Sequence, residues 1–235
     1  MYKNMNYGVI LLSGDSLRTS TSVPKQYFII ADKEVFLYPF EIFLKNPNIQ
    51  KILLVANADY VDYVKNKLTK YQTKKEINII KGGFNRQESS FLALDYIKKH
   101  EEDVSYINVI IHDAARPLLT TKTLNDVINA LETKEAVTTY YPIYDSICTS
   151  EDLKVIDGYR TRTKTFSIQT PQAFRFNLIY KAHLTAIDEK WANINDDSVL
   201  VKKNGHDVNL VLGDALNFKI TTIDDLYIVK KIIEG

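Results

Sequence analysis

The sequence predicts an α/β fold built on a mainly parallel sheet, with a hairpin arm projecting from it. Three observations carry that expectation. Short apolar segments alternate with helical segments of ten or more residues, the pattern of crossover units in a parallel sheet. The rhythm breaks between Pro142 and Ile168, where two β-prone pieces flank a polar stretch. Finally, several motifs of small and charged residues fall where strands end, most tellingly Ile111-His112-Asp113-Ala114-Ala115-Arg116-Pro117. The carboxyl edge of an open α/β sheet is where ligands bind.

In order, Tyr7 to Leu12 reads as a strand and Glu34 to Lys45 as an apolar helix interrupted by Pro39. Lys51 to Ala56 is a strand, Tyr60 to Tyr71 a helix, and Ile77 to Ile80 a short strand. Gln87 to His100 carries Phe91, Leu94 and Ile97 at helical spacing. There follow a strand at Tyr106 to Ile111, a helix at Thr123 to Leu131 and a strand at Val137 to Tyr141. The arm, at about residues 142–168, should pair Tyr144 to Thr149 with Thr161 to Ile168 around the Asp157-Gly158 turn signal. An isolated hairpin cannot bury both faces, so the arm is expected to pack on another subunit. A helix at Leu178 to Asp188, a strand at Val208 to Leu212 and a closing helix from Ile223 complete the chain.

With 235 residues, 45% of them hydrophobic, the chain can bury a full core as one domain over residues 1–235. The net charge of +1 gives no polybasic surface for nucleic acid or membrane, so neither is expected as a partner. A single cysteine, Cys148, excludes an internal disulfide framework and a multi-cysteine metal site. No apolar run approaches the ~20 residues that span a bilayer, and the start lacks the apolar stretch of a secretion signal. A cytoplasmic protein is the expectation.

The loop Leu11-Leu12-Ser13-Gly14-Asp15-Ser16-Leu17-Arg18 follows the first strand and could wrap phosphates with backbone N–H groups; an ordinary polar loop is the competing reading. Pro24-Lys25-Gln26 downstream adds Lys25 to Arg18, two cations suited to a triphosphate. Gly82-Gly83-Phe84-Asn85-Arg86-Gln87-Glu88-Ser89 offers paired glycines for positive φ or close approach to a flat ligand, with Ser89 able to bond a base edge; a plain capped turn is the alternative. Asp113 at a strand end could hold Mg²⁺ or an acceptor hydroxyl. His112 reads as a hydrogen-bonded structural histidine and Arg116 as half of a loop-fixing ion pair, whereas His100, His183 and His206 look solvated. Gln169-Thr170-Pro171-Gln172 suggests a rigid turn returning the arm to the sheet. Lys219, inside the β-prone Asn217-Phe218-Lys219-Ile220-Thr221, is either functional or an edge-strand gatekeeper. Asn195-Asp196-Asp197-Ser198 reads as a helix N-cap.

Taken together and in this order, these stretches resemble the cytidylyltransferases of the methylerythritol-phosphate and ribitol-phosphate group, and the match covers nearly the whole chain. The resemblance implies a Rossmann-like three-layer fold with a protruding arm, a homodimer formed through that arm, CTP as nucleotide donor and Mg²⁺ as cofactor. It implies that Arg18, Lys25 and Lys219 are the catalytic cations. Nucleotide binding would fall to Leu12, Ser13 and Gly14 in the loop, to Gly82, Gly83, Arg86 and Ser89 in the turn, and to Asp113, which would also meet the metal. Ser146 and Arg162 in the arm, with Asp196, would bind the acceptor.

This sequence departs from the group in two places. Its loop carries Gly14 where two or three glycines are usual, with Asp15 close to the expected triphosphate. Its arm reads Asp145-Ser146-Ile147-Cys148, keeping a hydroxyl but losing the lysine common in methylerythritol-phosphate enzymes. The following Thr149-Ser150-Glu151-Asp152 is closer to the ribitol-phosphate branch, so a polyol phosphate is the expected acceptor, with methylerythritol 4-phosphate as the alternative. The glycine-poor loop keeps a second class open, a nucleotide-binding descendant without catalysis.

Overall fold

Segments rich in valine, isoleucine and leucine can bury both faces and take the centre of a parallel sheet. In the computed structural model, which describes residues 4–14, 23–192 and 194–235, the chain begins with β1 (Met5–Leu12). A small ribbon, β2 (Ile29–Ile30) and β3 (Lys33–Glu34), precedes α1 (Leu37–Lys45). Next come β4 (Lys51–Ala56), α2 (Val61–Leu68), β5 (Glu76–Lys81), α3 (Arg86–His100), β6 (Ile107–Asp113), α4 (Thr121–Ala130) and β7 (Ala136–Pro142). The arm carries β8 (Ile147–Thr149) and β9 (Gly158–Arg160). The chain closes with β10 (Phe166–Arg175), α5 (Phe176–Asp188), α6 (Asp197–Lys203), β11 (Asn209–Leu212) and α7 (Ile223–Glu234).

Among the described residues the main sheet has seven strands in the order β11-β7-β10-β6-β1-β4-β5. All run parallel except β10, which is antiparallel to both β6 and β7. Strand alternation sorts the core into two layers. Ile10, Leu12, Ile52 and Leu54 pack against α1, α2 and α4 on one face. Val9, Leu11, Leu53 and Val55 pack against α3, α5 and α6 on the other. The expected three-layer α/β fold is therefore present. From β1 the chain steps outward through β4 and β5, then returns to the opposite side of β1 as β6. The carboxyl ends of β1 and β6 thus lie at the point where strand order reverses, the place where such sheets form a crevice.

Several local expectations are corrected. The helix expected from Glu34 begins at Leu37, because Lys33–Glu34 pairs with Ile29–Ile30. Pro39 does not interrupt it: in the first turn a backbone N–H has no intrahelical acceptor, so proline is tolerated there. The helix expected over Tyr60 to Tyr71 is confined to Val61–Leu68. In the arm the paired strands are Ile147–Thr149 and Gly158–Arg160, not Thr161 to Ile168. Gln169-Thr170-Pro171-Gln172 is not a turn; it lies within β10, where the pairing with β7 shifts register between Gln169 and Gln172. The segment around Lys219 forms no strand. No helix among the described residues is long and apolar enough to cross a membrane.

Candidate active site

Asp113 is the last residue of β6, and two distant segments meet its carboxylate. Arg86, opening α3, donates from Nε to Asp113 Oδ1 at 3.0 Å and from Nη1 to Asp197 Oδ2 at 2.7 Å. Lys219 Nζ meets Asp113 Oδ2 at 2.7 Å. The loop bearing Lys219 is fixed by backbone contacts: Arg116 Nη1 donates to Asn217 O, Asn217 Nδ2 to Thr170 O, and Ile220 N to Ala115 O. Arg116 thus anchors that loop through a carbonyl rather than through the expected ion pair. Burial raises the Asp113 pKa, but Arg86, Lys219 and Arg116 outweigh it and hold the carboxyl well below the ordinary range. Asp113 is therefore an anion at neutral pH.

His112 faces the other side of β6 and is fully buried. Its Nε2 contacts Arg116 O at 3.1 Å, so that nitrogen carries the proton; its Nδ1 accepts from Thr170 Oγ1 at 3.1 Å. The same hydroxyl accepts the Asp113 N–H. Burial pushes the His112 pKa down to about 4. The ring is a neutral brace between β6 and the β10 irregularity, as a structural histidine should be.

A cavity of about 440 Å³ is lined by Ser13, Gly14, Lys25, Arg86, Asp113 and Lys219, among others. Lys25 reaches it because Pro24 leads into a 3₁₀ turn at Lys25–Tyr27. An adjoining cavity of about 620 Å³ shares Ser13 and is lined by Gly82, Gly83 and Phe84. Here the two glycines serve close approach rather than positive φ: a Cβ on Gly82 would strike Ser13, and one on Gly83 would strike Glu88. Ser89 is fully buried, and its hydroxyl receives Ser13 Oγ at 2.6 Å and Gly83 N at 3.1 Å while donating to Asn85 O. It ties the turn to the loop after β1. Leu12, at the end of β1, is buried.

Arg18, with Asp15, lies outside the described residues. Asp196 caps α6, accepting from Ser198 N at 2.8 Å and from Gln172 Nε2 at 2.6 Å. Ser146 and Arg162 are exposed and line neither cavity; Arg162 Nη1 donates to Tyr144 O at 3.1 Å.

Two residues that sequence reasoning set aside belong to the charge network. Asp197 is buried and accepts from Arg86, from Ser90 Oγ at 2.8 Å and from His183 Nε2 at 3.1 Å. Burial raises its pKa, but Arg86 and His183 prevail and lower it overall. His183 is fully buried rather than solvated. The sequence held a signal for it, since Ile179, Ala182, His183 and Ala186 share one helical face. His100 and His206 are exposed.

Magnesium binds through one or two carboxylates together with substrate phosphates rather than in an all-protein cage. The cavity fits that mode, since Asp113 supplies a carboxylate to it.

Residues 7–235 match the model of the family IspD: 2-C-methyl-D-erythritol 4-phosphate cytidylyltransferase. Ribitol-5-phosphate cytidylyltransferase of Lactiplantibacillus plantarum is 32% identical over 235 residues, covering 98% of this chain and 99% of the relative. 2-C-methyl-D-erythritol 4-phosphate cytidylyltransferase of Thermosipho melanesiensis is 36% identical over 228 residues, covering 96% of each. The crystal structure of 4-diphosphocytidyl-2C-methyl-D-erythritol synthase from Anaerococcus prevotii superposes with a TM-score of 0.83 at 26% identity, covering 99% of both chains. A basic crevice at the sheet's switch point, joined to a match over nearly the full length, leads to one conclusion: the chain belongs to the IspD family and is a cytidylyltransferase, a nucleotidyltransferase by class.

Proposed function

We propose that the protein transfers CMP from CTP to a polyol phosphate, ribitol 5-phosphate or a related alditol phosphate, giving a CDP-polyol and pyrophosphate. The observation that carries the transfer chemistry is the convergence of Lys25, Arg86, Asp113 and Lys219 on one cavity. An oxygen of the acceptor phosphate forms a new bond to the α-phosphorus of CTP. The bond from that phosphorus to the bridging oxygen breaks, and its electron pair leaves with pyrophosphate. The nucleophile is already an anion near neutral pH, so no base is required. This agrees with a neutral His112 whose two ring nitrogens are both engaged.

The chain's own work is positioning and charge neutralisation. Lys25 and Lys219, with Arg18 by family resemblance, would counter charge on the reacting phosphate. Asp113 orients Lys219 and Arg86 toward the cavity. Mg²⁺, held by Asp113 and the nucleotide, would supply further neutralisation of the triphosphate. The neighbouring cavity at Gly82 and Gly83 suits the base.

Two observations support a polyol phosphate as acceptor. The arm has Cys148 where the methylerythritol-phosphate enzymes commonly carry lysine, and the Lactiplantibacillus plantarum relative aligns end to end. The alternative acceptor, 2-C-methyl-D-erythritol 4-phosphate, is favoured by the Thermosipho relative and by the family's own description. We further propose that Ser146 and Arg162 act in the acceptor site of a second copy. The arm that bears them exposes Tyr144, Leu153 and Tyr159, an apolar surface suited to a partner.

Pyrophosphate release with CTP, measured against ribitol 5-phosphate, glycerol phosphate and methylerythritol 4-phosphate, tests the proposal. A kcat/KM for an alditol phosphate at least ~10-fold above that for methylerythritol 4-phosphate is expected, a margin within reach of a few polar contacts. The opposite ranking transfers the assignment to the alternative. CTP binding with no turnover on any acceptor would leave a non-catalytic descendant.

A further inference from the structure

The loop after β1 has one glycine, Gly14, among its described residues, yet its backbone is held from outside by two amide side chains. Gln26 Nε2 donates to Leu12 O in a short contact and to Gly14 O at 3.0 Å. Asn57 Nδ2 donates to Ser13 O at 3.0 Å. The two amides are joined, since Gln26 Nε2 also meets Asn57 Oδ1 at 3.1 Å. Three consecutive carbonyls are therefore drawn to one side. Behind the pair, Tyr27 stacks on Tyr60 with ring centroids 4.0 Å apart, and its hydroxyl lies 3.4 Å from both Leu12 O and Asn57 Oδ1.

In a trans peptide the carbonyl and the following N–H point in opposite directions. Fixing Leu12 O and Ser13 O on the amides turns the N–H groups of Ser13 and Gly14 the other way. Both residues line the 440 Å³ cavity, and neither N–H has a backbone acceptor among the described residues. Successive N–H groups aimed into one concavity form an anion site.

We infer that Asn57 and Gln26 are positioning residues. By holding the carbonyls of Leu12, Ser13 and Gly14, they aim the loop's N–H groups at the phosphates of the nucleotide. The clamp does for this loop what additional glycines do elsewhere: it fixes a backbone orientation that the local sequence does not impose. This inference rests on the reading of the 440 Å³ cavity as the phosphate site. Asn57 sits just beyond β4 and would act through the backbone, without serving as a base or nucleophile.

The test is the affinity of Asn57→Ala and of the isosteric Asn57→Asp for cytidine, CMP, CDP and CTP, with circular dichroism melts as a check on folding. Asn57→Asp keeps the acceptor facing Gln26 but places a carboxylate oxygen against Ser13 O. The expected result is a loss that grows with the number of phosphates: within about twofold for cytidine and about tenfold for CTP, the scale of one hydrogen bond. Asn57→Asp should lose at least as much as Asn57→Ala. Equal losses for all four ligands would mean general softening, and no loss for CTP would mean an idle contact; either overturns the inference. If the wild-type protein itself bound CTP no better than cytidine, the cavity assignment would fall, and the clamp with it. Should Asn57→Ala fail to fold, the ligand series with Asn57→Ser decides by the same criterion.

Discussion

The crevice at the ends of β1 and β6 differs from the arm in how it treats charge. In the crevice, Asp113 and Asp197 have side chains only 9% and 1% exposed, and Arg86 bridges them. Each ion has a fixed partner and little water. In the arm, Ser146 and Arg162 are exposed, Leu153 is 90% exposed, and the Arg162 guanidinium donates to a backbone carbonyl, Tyr144 O. One copy of the chain thus preorganises the groups that would face the nucleotide. The groups proposed for the acceptor line neither of the two cavities at the crevice. Rigidity in the first region follows from desolvation, because breaking a buried pair strands a charge that water cannot reach.

That contrast can be broken most forcefully at Asp197. Replacing it with Ala leaves Arg86 largely buried beside one carboxylate fewer, and stability to urea should fall by ~3–5 kcal/mol. A fall below ~1 kcal/mol would show that the network is hydrated and that the two regions are alike. Lys219→Ala should lower kcat by ~10²–10³-fold, the scale of a lost donor to developing charge. Turnover at the wild-type rate would remove Lys219 from the reaction.

Acidification probes the same interior. The unfolded chain takes up the His112 proton near pH 6.5, but burial lowers the folded value to about 4. Stability from this group is therefore complete above pH 6.5 and is lost as the pH falls from 6.5 toward 4, by roughly 3 kcal/mol. Asp113 and Asp197, both lowered, act with the same sign at still lower pH. Urea midpoints at pH 7 and pH 4.5 measure the slope, and His112→Gln should flatten it. A variant as pH-sensitive as the wild type would place the effect elsewhere. The smallest change in stability belongs to the arm. Arg162→Ala should leave the stability to urea within ~0.5 kcal/mol while raising the acceptor's KM at least ~10-fold and sparing that for CTP. Equal changes in both KM values would contradict a role confined to the acceptor.

Much of the architecture was legible in the chain. Alternating apolar strands and amphipathic helices are local patterns, and burying them leaves few options besides a parallel sheet covered on both faces. The two-residue strands Ile29–Ile30 and Lys33–Glu34 were not legible, being too short for any periodicity. Nor was the fate of Gln169-Thr170-Pro171-Gln172: proline and polar residues in a row read as a turn, whereas packing between β6 and β7 holds them as an irregular strand. Within the site, Lys25, Arg86, Asp113 and Lys219 were found through motifs. Asp197 reads as an ordinary cap residue, because an acid in a first helical turn has a sufficient local explanation.

By itself, then, the sequence determined the parallel strands of the central sheet, which strand ends carry charge and which family of reactions those charges serve. Tertiary structure alone decided which charges meet. Asp113 and Lys219 are 106 positions apart, Arg86 and Asp197 are 111 apart, and Asn57 reaches Ser13 across 44. No local pattern encodes such pairs. They follow from strand order and from the loss of water at the sheet's switch point, where a charge persists only if the fold supplies its counterpart.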